Sequence, residues 1–114
     1  MLWKPEKAGF KTYLQLEKSL SGNSVEAYLH DVDKFIQFLE FKKLAPAPGD
    51  IELEHLREFL RWINELGMSA TSQARIISGL KAFYSFLLFE DILKHDPTEL
   101  LEDPKTGRKL PDVL

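Results

Sequence analysis

The side chains that most often carry catalysis or bind metal ions are few in this sequence, and they lie far apart. The three histidines, His30, His55 and His95, are separated by 25 and 40 residues, so neither the HxxxH nor the HExxH spacing occurs. There is no cysteine, which excludes disulfides, thiolate ligands and a cysteine nucleophile. The six glycines never cluster into a phosphate-binding or nucleophile-elbow motif. The residue types therefore indicate neither catalysis nor a bound cofactor or metal.

Carboxylates are plentiful, but they are expected on the solvated faces of helices. They are Asp31, Asp33 and Glu40 in one segment, and Glu52, Glu54, Glu58 and Glu65 in the next. A solvated face is the usual explanation for such residues, with a catalytic pair as the weaker alternative. Asp91, His95 and Asp96 lie at the end of a predicted helix, where capping and surface roles are favoured over a metal site.

Hydroxyl groups and cations form the more informative pattern. In the segment 69–93, one side of the predicted helix combines two cations with small and hydroxyl-bearing residues: Thr71, Arg75, Ser78, Lys81, Ala82 and Ser85. Such a face suits contact with phosphates and close approach to a DNA groove. Ser21, Asn23 and Ser24 stand at the start of another helix, beside backbone N–H groups that could bind a phosphate. Helix capping explains the same residues, so the pattern alone leaves both interpretations open.

These residues are positioned by four long segments without helix breakers. The segments cover residues 6–20, 23–43, 51–66 and 69–93. Apolar residues recur in them at intervals of three and four, as at Val25, Leu29 and Val32, which predicts amphipathic helices rather than strands. The predicted fold class is therefore all-α, a compact bundle of four main helices with a short C-terminal turn.

The predicted helix ends have physical reasons. Ser21 or Asn23 is expected to cap the second helix, Asp50 the third, and Ser69 or Thr71 the fourth. Gly67 fits the left-handed position after the third helix. Asp96-Pro97-Thr98 is expected to start a short turn that runs through Leu101.

Gly79 stands inside the predicted fourth helix, where glycine costs about 1 kcal/mol relative to alanine. Its neighbours on the helix, Ala74, Ser78 and Ala82, are small as well. Close packing against another helix is the preferred explanation. A smooth face that approaches nucleic acid is the alternative.

Size and charge set further bounds. The chain has 114 residues, of which 44% are hydrophobic, enough for one domain with its own core. It contains no long apolar segment and no signal peptide at its start, so a cytoplasmic location is expected. The net charge of −3 argues against nucleic-acid binding. However, residues 1–20 carry +2 and residues 68–90 carry +1, so a positive face on an acidic domain is possible.

Three separate runs resemble the tyrosine site-specific recombinases of the Xer type. The first extends from Tyr13-Leu14 through Leu20-Ser21-Gly22-Asn23-Ser24-Val25-Glu26-Ala27-Tyr28 to Phe38-Leu39. The second is Ser69-Ala70-Thr71-Ser72-Gln73-Ala74-Arg75-Ile76-Ile77-Ser78-Gly79-Leu80-Lys81-Ala82-Phe83-Tyr84. The third runs from Asp96-Pro97-Thr98 to Pro104-Lys105 and Leu110-Pro111. The resemblance covers almost the whole chain and implies the family's N-terminal core-binding domain, also called the SAM-like phage-integrase N-terminal domain.

The resemblance implies a role in clamping duplex DNA at a recombination site. In the family, the second and fourth helices enter the major groove, and other protomers join in a synaptic complex. The residues carried over to DNA binding are Ser21, Asn23, Ser24, Ala27 and Lys34 on helix two, and Thr71, Ser72, Arg75, Ser78 and Lys81 on helix four. Helix one supplies weaker candidates for contacts between protomers: Phe10, Lys11 and Tyr13.

The resemblance also implies that these 114 residues have no recombinase activity alone. Residues 1–103 correspond to the binding domain, and residues 104–114 to a linker toward a catalytic domain that would follow. Tyr13, Tyr28 and Tyr84 lie on apolar helix faces and are expected in the core, so none is assigned as the nucleophile. A helical protein-interaction domain without a DNA role is the main alternative, and a small helix-turn-helix regulator is a weaker one.

Overall fold

The fold, seen in a computed structural model that describes residues 3–99 and 101, is a bundle of four α-helices. The helices are α1 (Lys4–Leu16), α2 (Gly22–Phe41), α3 (Leu53–Glu65) and α4 (Ala70–Phe89), with a short 3₁₀ turn at Pro48–Asp50 before α3. No strand occurs among the described residues. The all-α prediction is confirmed, and the largest differences in bounds are at the ends of α1 and α4, which stop at Leu16 and Phe89 rather than at residues 20 and 93.

The α2–α4 pair forms the centre of the bundle. The two helices pack against each other, and each of them also packs against α1 and α3. In contrast, α1 and α3 do not pack against one another. Because α4 is covered on three sides, it buries both Ile76 and Ile77, and later Phe83 and Tyr84, on adjacent faces. A helix in this position needs an apolar surface wider than one stripe, which its sequence supplies.

Aromatic rings fill the core between the helices. Phe10 of α1 meets Phe83 of α4 edge-on at 5.3 Å between ring centres, and Phe35 of α2 meets Phe59 of α3 in the same way at 5.0 Å. Edge-to-face pairs at these distances add to the stabilisation that burial alone provides. Trp3 closes the bundle where α1 begins, since its ring stacks on Phe83 and its indole N–H donates to the carbonyl of Pro46 at 2.8 Å.

Two serines cap the two central helices. The Ser21 hydroxyl accepts from the backbone N–H of Ser24 at 3.3 Å, and the Ser69 hydroxyl accepts from that of Ser72 at 3.2 Å. Each bond satisfies one of the donors that a helix start leaves unpaired. Of the predicted alternatives, Ser21 rather than Asn23 caps α2, and Ser69 rather than Thr71 caps α4.

The predicted cap of α3 is wrong. Asp50 belongs to the preceding 3₁₀ turn, where its carboxylate accepts from the backbone N–H of Ala47 at 3.1 Å. The helix begins three residues later, at Leu53, with Glu52 at the cap position. There, Nδ1 of His55 accepts from the backbone N–H of Glu52 at 2.9 Å, so this histidine has a structural role. Pro48 favours a separate turn before the helix, and that turn uses the Asp50 side chain.

The ends of the helices use left-handed residues. Gly67 has φ of +89° after α3, as predicted, and Met68 N–H donates to the carbonyl of Ile63. Lys43 follows α2 in the same conformation with φ of 60° although it is not a glycine. After α4, the predicted short turn is present, with Asp96 accepting from the backbone N–H of Thr98 at 2.8 Å and Leu101 N–H donating to the Thr98 carbonyl. The predicted linker, residues 104–114, lies outside the described residues.

Candidate nucleic-acid interface

A groove between α2 and α4 brings together residues that are about fifty positions apart in the sequence. Its lining consists of Ser24, Ala27, Tyr28 and Asp31 from α2, and Arg75 and Ser78 from α4. Ser24, Ala27, Arg75 and Ser78 are among the residues predicted to bind DNA. They meet because the residues at intervals of three and four on each helix share one face, and the two helices pack against each other.

Gly79 allows the two helices to approach closely beside this groove. A Cβ atom at position 79 would overlap Oδ2 of Asp31 and would lie 2.6 Å from the Cβ of Asp31, closer than Cβ atoms come to their neighbours in proteins. Gly79 itself is buried. The packing explanation of this glycine therefore agrees with the structure, and its surface is covered by α2 rather than offered to a ligand.

Asp31 is buried, which corrects the expectation that it lies on a solvated face. Its side chain is 3% exposed and forms an ion pair with Arg75, with 3.2 Å between Oδ1 and the guanidinium nitrogen. Burial raises the pKa of Asp31 from its ordinary value of 3.8 to about 6, against the opposing effect of Arg75 and, less strongly, His30. The in-helix glycine was the sequence signal for this site, since it showed where another element comes close.

Arg75 remains accessible although it is paired. Its side chain is 57% exposed, and it lines the groove. A guanidinium has five N–H donors, and one partner leaves several of them for a ligand. The groove therefore contains a cation that is paired with Asp31 and is still accessible to a ligand, and Ser24 and Ser78 line the same groove.

The remaining predicted residues surround this groove in different ways. Ser21 and Ser72 belong to the helix caps, while Asn23 and Thr71 are exposed in the first turns of α2 and α4. Lys34 is half-buried near α3, where its Nζ lies 5.9 Å from the centre of the Trp62 ring. Lys81 is half-buried and lies about 120° around α4 from Arg75, by helix geometry of 100° per residue. The two cations of α4 thus flank Ser78 instead of lying together.

The candidates on α1 differ in accessibility. Phe10 is completely buried among core aromatics, so its side chain is not available on the surface. Lys11 is exposed, and Tyr13 is half-buried against Phe86 and Phe89.

None of the three tyrosines has the surroundings of an activated nucleophile. Tyr84 is buried, and its hydroxyl donates to the carbonyl of Pro48 at 2.9 Å. Burial, with a smaller contribution from the charge of Asp96, raises the pKa of the Tyr84 phenol well above its usual range. Activation would require the opposite shift. The prediction that the tyrosines belong to the core is right for Tyr84, whereas Tyr13 and Tyr28 are half-buried and pack against core aromatics from outside.

Residues 3–99 and 101 contain no group of three or more His, Asp or Glu side chains that could hold a metal ion. None of the described helices is long and apolar enough to cross a membrane.

The fold and the groove together define a small all-helical domain of the SAM-like class. Residues 8–91 match the family described as "Phage integrase, N-terminal SAM-like domain". The chain belongs to this family, and the resemblance inferred from the sequence is confirmed.

The similar curated proteins are tyrosine recombinases. The chain is 42% identical over 102 residues to the tyrosine recombinase XerD of Staphylococcus saprophyticus, with 90% of this chain and 34% of that protein covered. It is 37% identical over 115 residues to XerD of Chlorobaculum tepidum, with 98% of this chain and 36% of that protein covered. It is 33% identical to the tyrosine recombinase XerC of Pseudomonas syringae, over 90% of this chain and 34% of that protein. No solved structure shows a significant match.

The 114 residues therefore span about a third of the length of these relatives. The matched residues are the N-terminal SAM-like domain of the phage-integrase family, and about two thirds of each relative has no counterpart among the 114 residues.

Proposed function

We propose that this domain binds duplex DNA at a recombination site, with α2 and α4 entering the major groove. The observation that carries the proposal is the α2–α4 groove, in which an exposed guanidinium stands beside Ser24 and Ser78. An α-helix fits the width of the major groove, and small or hydroxyl-bearing side chains let it come close to the bases. The family membership supports the same role.

The residues around the groove divide into two groups by their chemistry. The helix starts, with Ser21, Asn23 and Ser24 on α2 and with Thr71 and Ser72 on α4, suit phosphate contacts because backbone N–H groups point outward there. Lys34 and Lys81 are candidates for phosphate contacts at the flanks. Arg75 and Ser78 face the groove itself and are candidates for base edges.

The proposal extends to the protein of which this domain is a part. By analogy with its relatives, that protein would cut and rejoin DNA in a cytoplasmic complex of several protomers, through a catalytic domain joined by residues 104–114. Lys11 and Tyr13 are proposed contacts between protomers, whereas the buried side chain of Phe10 is withdrawn from that list.

A protein-interaction domain without a DNA role is the alternative. In that interpretation, the small residues of α4 would pack against a partner helix. The observation against it is that α2 already covers Gly79 through Asp31.

The test is a titration of the 114-residue chain with a fluorescent 30-base-pair duplex at 50 and 200 mM salt. We expect weak binding that falls with salt. Association releases the cations condensed on the DNA, and this release is less favourable at a higher salt concentration. Arg75→Ala and Lys81→Ala should each weaken binding at 50 mM salt. Arg57→Ala is the matched control, since Arg57 is an exposed cation on α3, which does not line the groove. A folded chain that fails to bind at 50 mM salt, or an equal loss with Arg57→Ala, contradicts the proposal.

A further inference from the structure

The Asp31–Arg75 pair is the feature of the groove that phosphate binding does not explain. Among residues 3–99 and 101, Asp31 is the only buried carboxylate, and Gly79 leaves the space that it occupies. Replacing a buried ion pair by apolar residues is often neutral or stabilising, so folding alone gives no reason for this arrangement. The pair instead determines where the Arg75 guanidinium lies.

The geometry holds Arg75 from one side only. Asp31 is fixed by burial between α2 and α4, and its Oδ1 lies 3.2 Å from one terminal nitrogen of Arg75. The Arg75 side chain is 57% exposed, and it lines the groove together with Ser24 and Ser78. A long side chain that is held in this way loses less conformational freedom when it binds a ligand.

The charge of the pair favours one kind of ligand. A carboxylate 3.2 Å from the guanidinium offsets its positive charge and repels a phosphate that approaches the same place. A base edge carries no net charge, so the carboxylate does not repel it, and donors that are already oriented bind it with a smaller loss of conformational freedom. In the major groove, the N7 and O6 acceptors of guanine match the two parallel N–H groups of a guanidinium.

We infer that Arg75 reads a guanine in the major groove and that Asp31 is its positioning residue. This inference rests on the proposed function, because it assumes that α4 contacts DNA. It adds that Arg75 determines sequence preference, while Lys81, which does not line the groove and forms no ion pair with a described residue, contributes binding without preference.

The first experiment measures preference directly. The probe is a duplex library with ten randomised base pairs, selected with the wild-type 114-residue chain and with Arg75→Ala, Asp31→Asn and Lys81→Ala. We expect the wild type to enrich a guanine position that both Arg75→Ala and Asp31→Asn lose and that Lys81→Ala keeps. Affinities are then measured on the selected duplex and on a scrambled one, and the ratio of the two dissociation constants should fall about fivefold or more in the first two variants.

A double-mutant cycle separates positioning from a general structural role. In the presence of Arg75, Asp31→Asn should lower the affinity ratio, but it should have no further effect in the Arg75→Ala background. Circular dichroism and thermal melting establish that each variant is folded. The isosteric Asp31→Asn change also removes a buried charge, so folding is expected to persist.

A second measurement changes the DNA instead of the protein. Replacing the enriched guanine by 7-deazaguanine removes the N7 acceptor, and we expect the wild type to lose several-fold in affinity while Arg75→Ala is unaffected.

The outcomes distinguish this inference from the proposed function. If the folded chain binds no duplex at 50 mM salt, the proposed function fails, and the inference fails with it. If the chain binds DNA but Arg75→Ala weakens all duplexes equally and lowers the salt dependence, Arg75 is a phosphate contact and only the inference is overturned. Unchanged preference in Asp31→Asn overturns the positioning role alone.

Discussion

At the scale of single residues, Asp31 decides how the domain responds to pH. Its pKa in the folded chain is about 6, compared with 3.8 ordinarily, so the folded state holds this proton more tightly than the unfolded state does. The contribution of this carboxyl to stability is therefore fully present below about pH 4 and is lost as the pH rises through 6.

The Asp31→Asn variant should consequently gain stability relative to the wild type as the pH rises. Between pH 4.5 and 7.5, the free energy of unfolding of the variant relative to wild type should increase by about 2 kcal/mol, since the variant no longer ionises there. Urea titrations of both proteins at pH 4.5, 6.0 and 7.5 measure this difference, in which the other titrating groups cancel. A difference that does not change with pH would contradict the raised pKa.

Tyr84 is a second residue whose role is structural. Tyr84→Phe removes the shorter of two hydrogen bonds to the Pro48 carbonyl and leaves the one from the backbone N–H of Ile51 at 3.4 Å, so we expect a loss of about 1 kcal/mol in the free energy of unfolding. The half-buried Tyr28 supplies the control, because its ring packs on Phe10 and Tyr28→Phe should change stability little. Equal losses in the two variants would show that the hydrogen bond to Pro48 is not the cause.

At the scale of elements, the helix ends show where the backbone is under strain. Lys43 takes the left-handed conformation after α2, and the next residue, Leu44, donates its N–H to the carbonyl of Leu39 at 2.8 Å. This conformation costs an ordinary residue about 1–2 kcal/mol, whereas glycine adopts it freely.

Lys43→Gly should therefore stabilise the domain by about 0.5–1 kcal/mol, after allowance for the greater freedom of glycine in the unfolded chain. Lys42→Gly is a close control, because it removes the same charge one residue earlier, where φ is −81°, and it should destabilise. The measurement is urea unfolding at pH 7. Parallel effects of the two substitutions would mean that charge, and not backbone conformation, is responsible.

The helices and their ends also show which features the sequence pattern predicts and which it does not. The four helices and the serine caps were predictable because they depend on spacing and on residues next to each other in the chain. The start of α3 was not predictable in the same way, because Asp50 could serve either the helix or the preceding turn. Its carboxylate accepts from the backbone N–H of Ala47 in the 3₁₀ turn, and His55 accepts from the backbone N–H of Glu52 at the start of α3. Local patterns cannot rank two turns that compete for one side chain.

At the scale of the whole molecule, the net charge of −3 opposes long-range attraction to DNA. The acidic residues are concentrated around α3, and α3 does not line the groove between α2 and α4. Their effect on binding should thus be electrostatic and distant rather than a matter of contact.

The double variant Glu54→Gln, Glu58→Gln should increase affinity for the 30-base-pair duplex a few-fold at 10 mM salt. At 150 mM salt the increase should vanish, because the screening length falls from about 30 Å to about 8 Å. Fluorescence anisotropy at the two concentrations measures both values. An increase that persists at 150 mM salt would mean that α3 lies close to the bound DNA.

The sequence by itself determined the helices, their apolar faces and the family, because periodicity, capping residues and characteristic runs are all properties of neighbouring positions. It also placed Ser24, Arg75 and Ser78 among the DNA-binding candidates. Only the tertiary structure decided that Asp31 is buried and paired, that Phe10 is buried, and that Ser24, Arg75 and Ser78 line one groove. These depend on how closely α2 approaches α4 at Gly79, a distance between residues 48 positions apart that no local pattern contains.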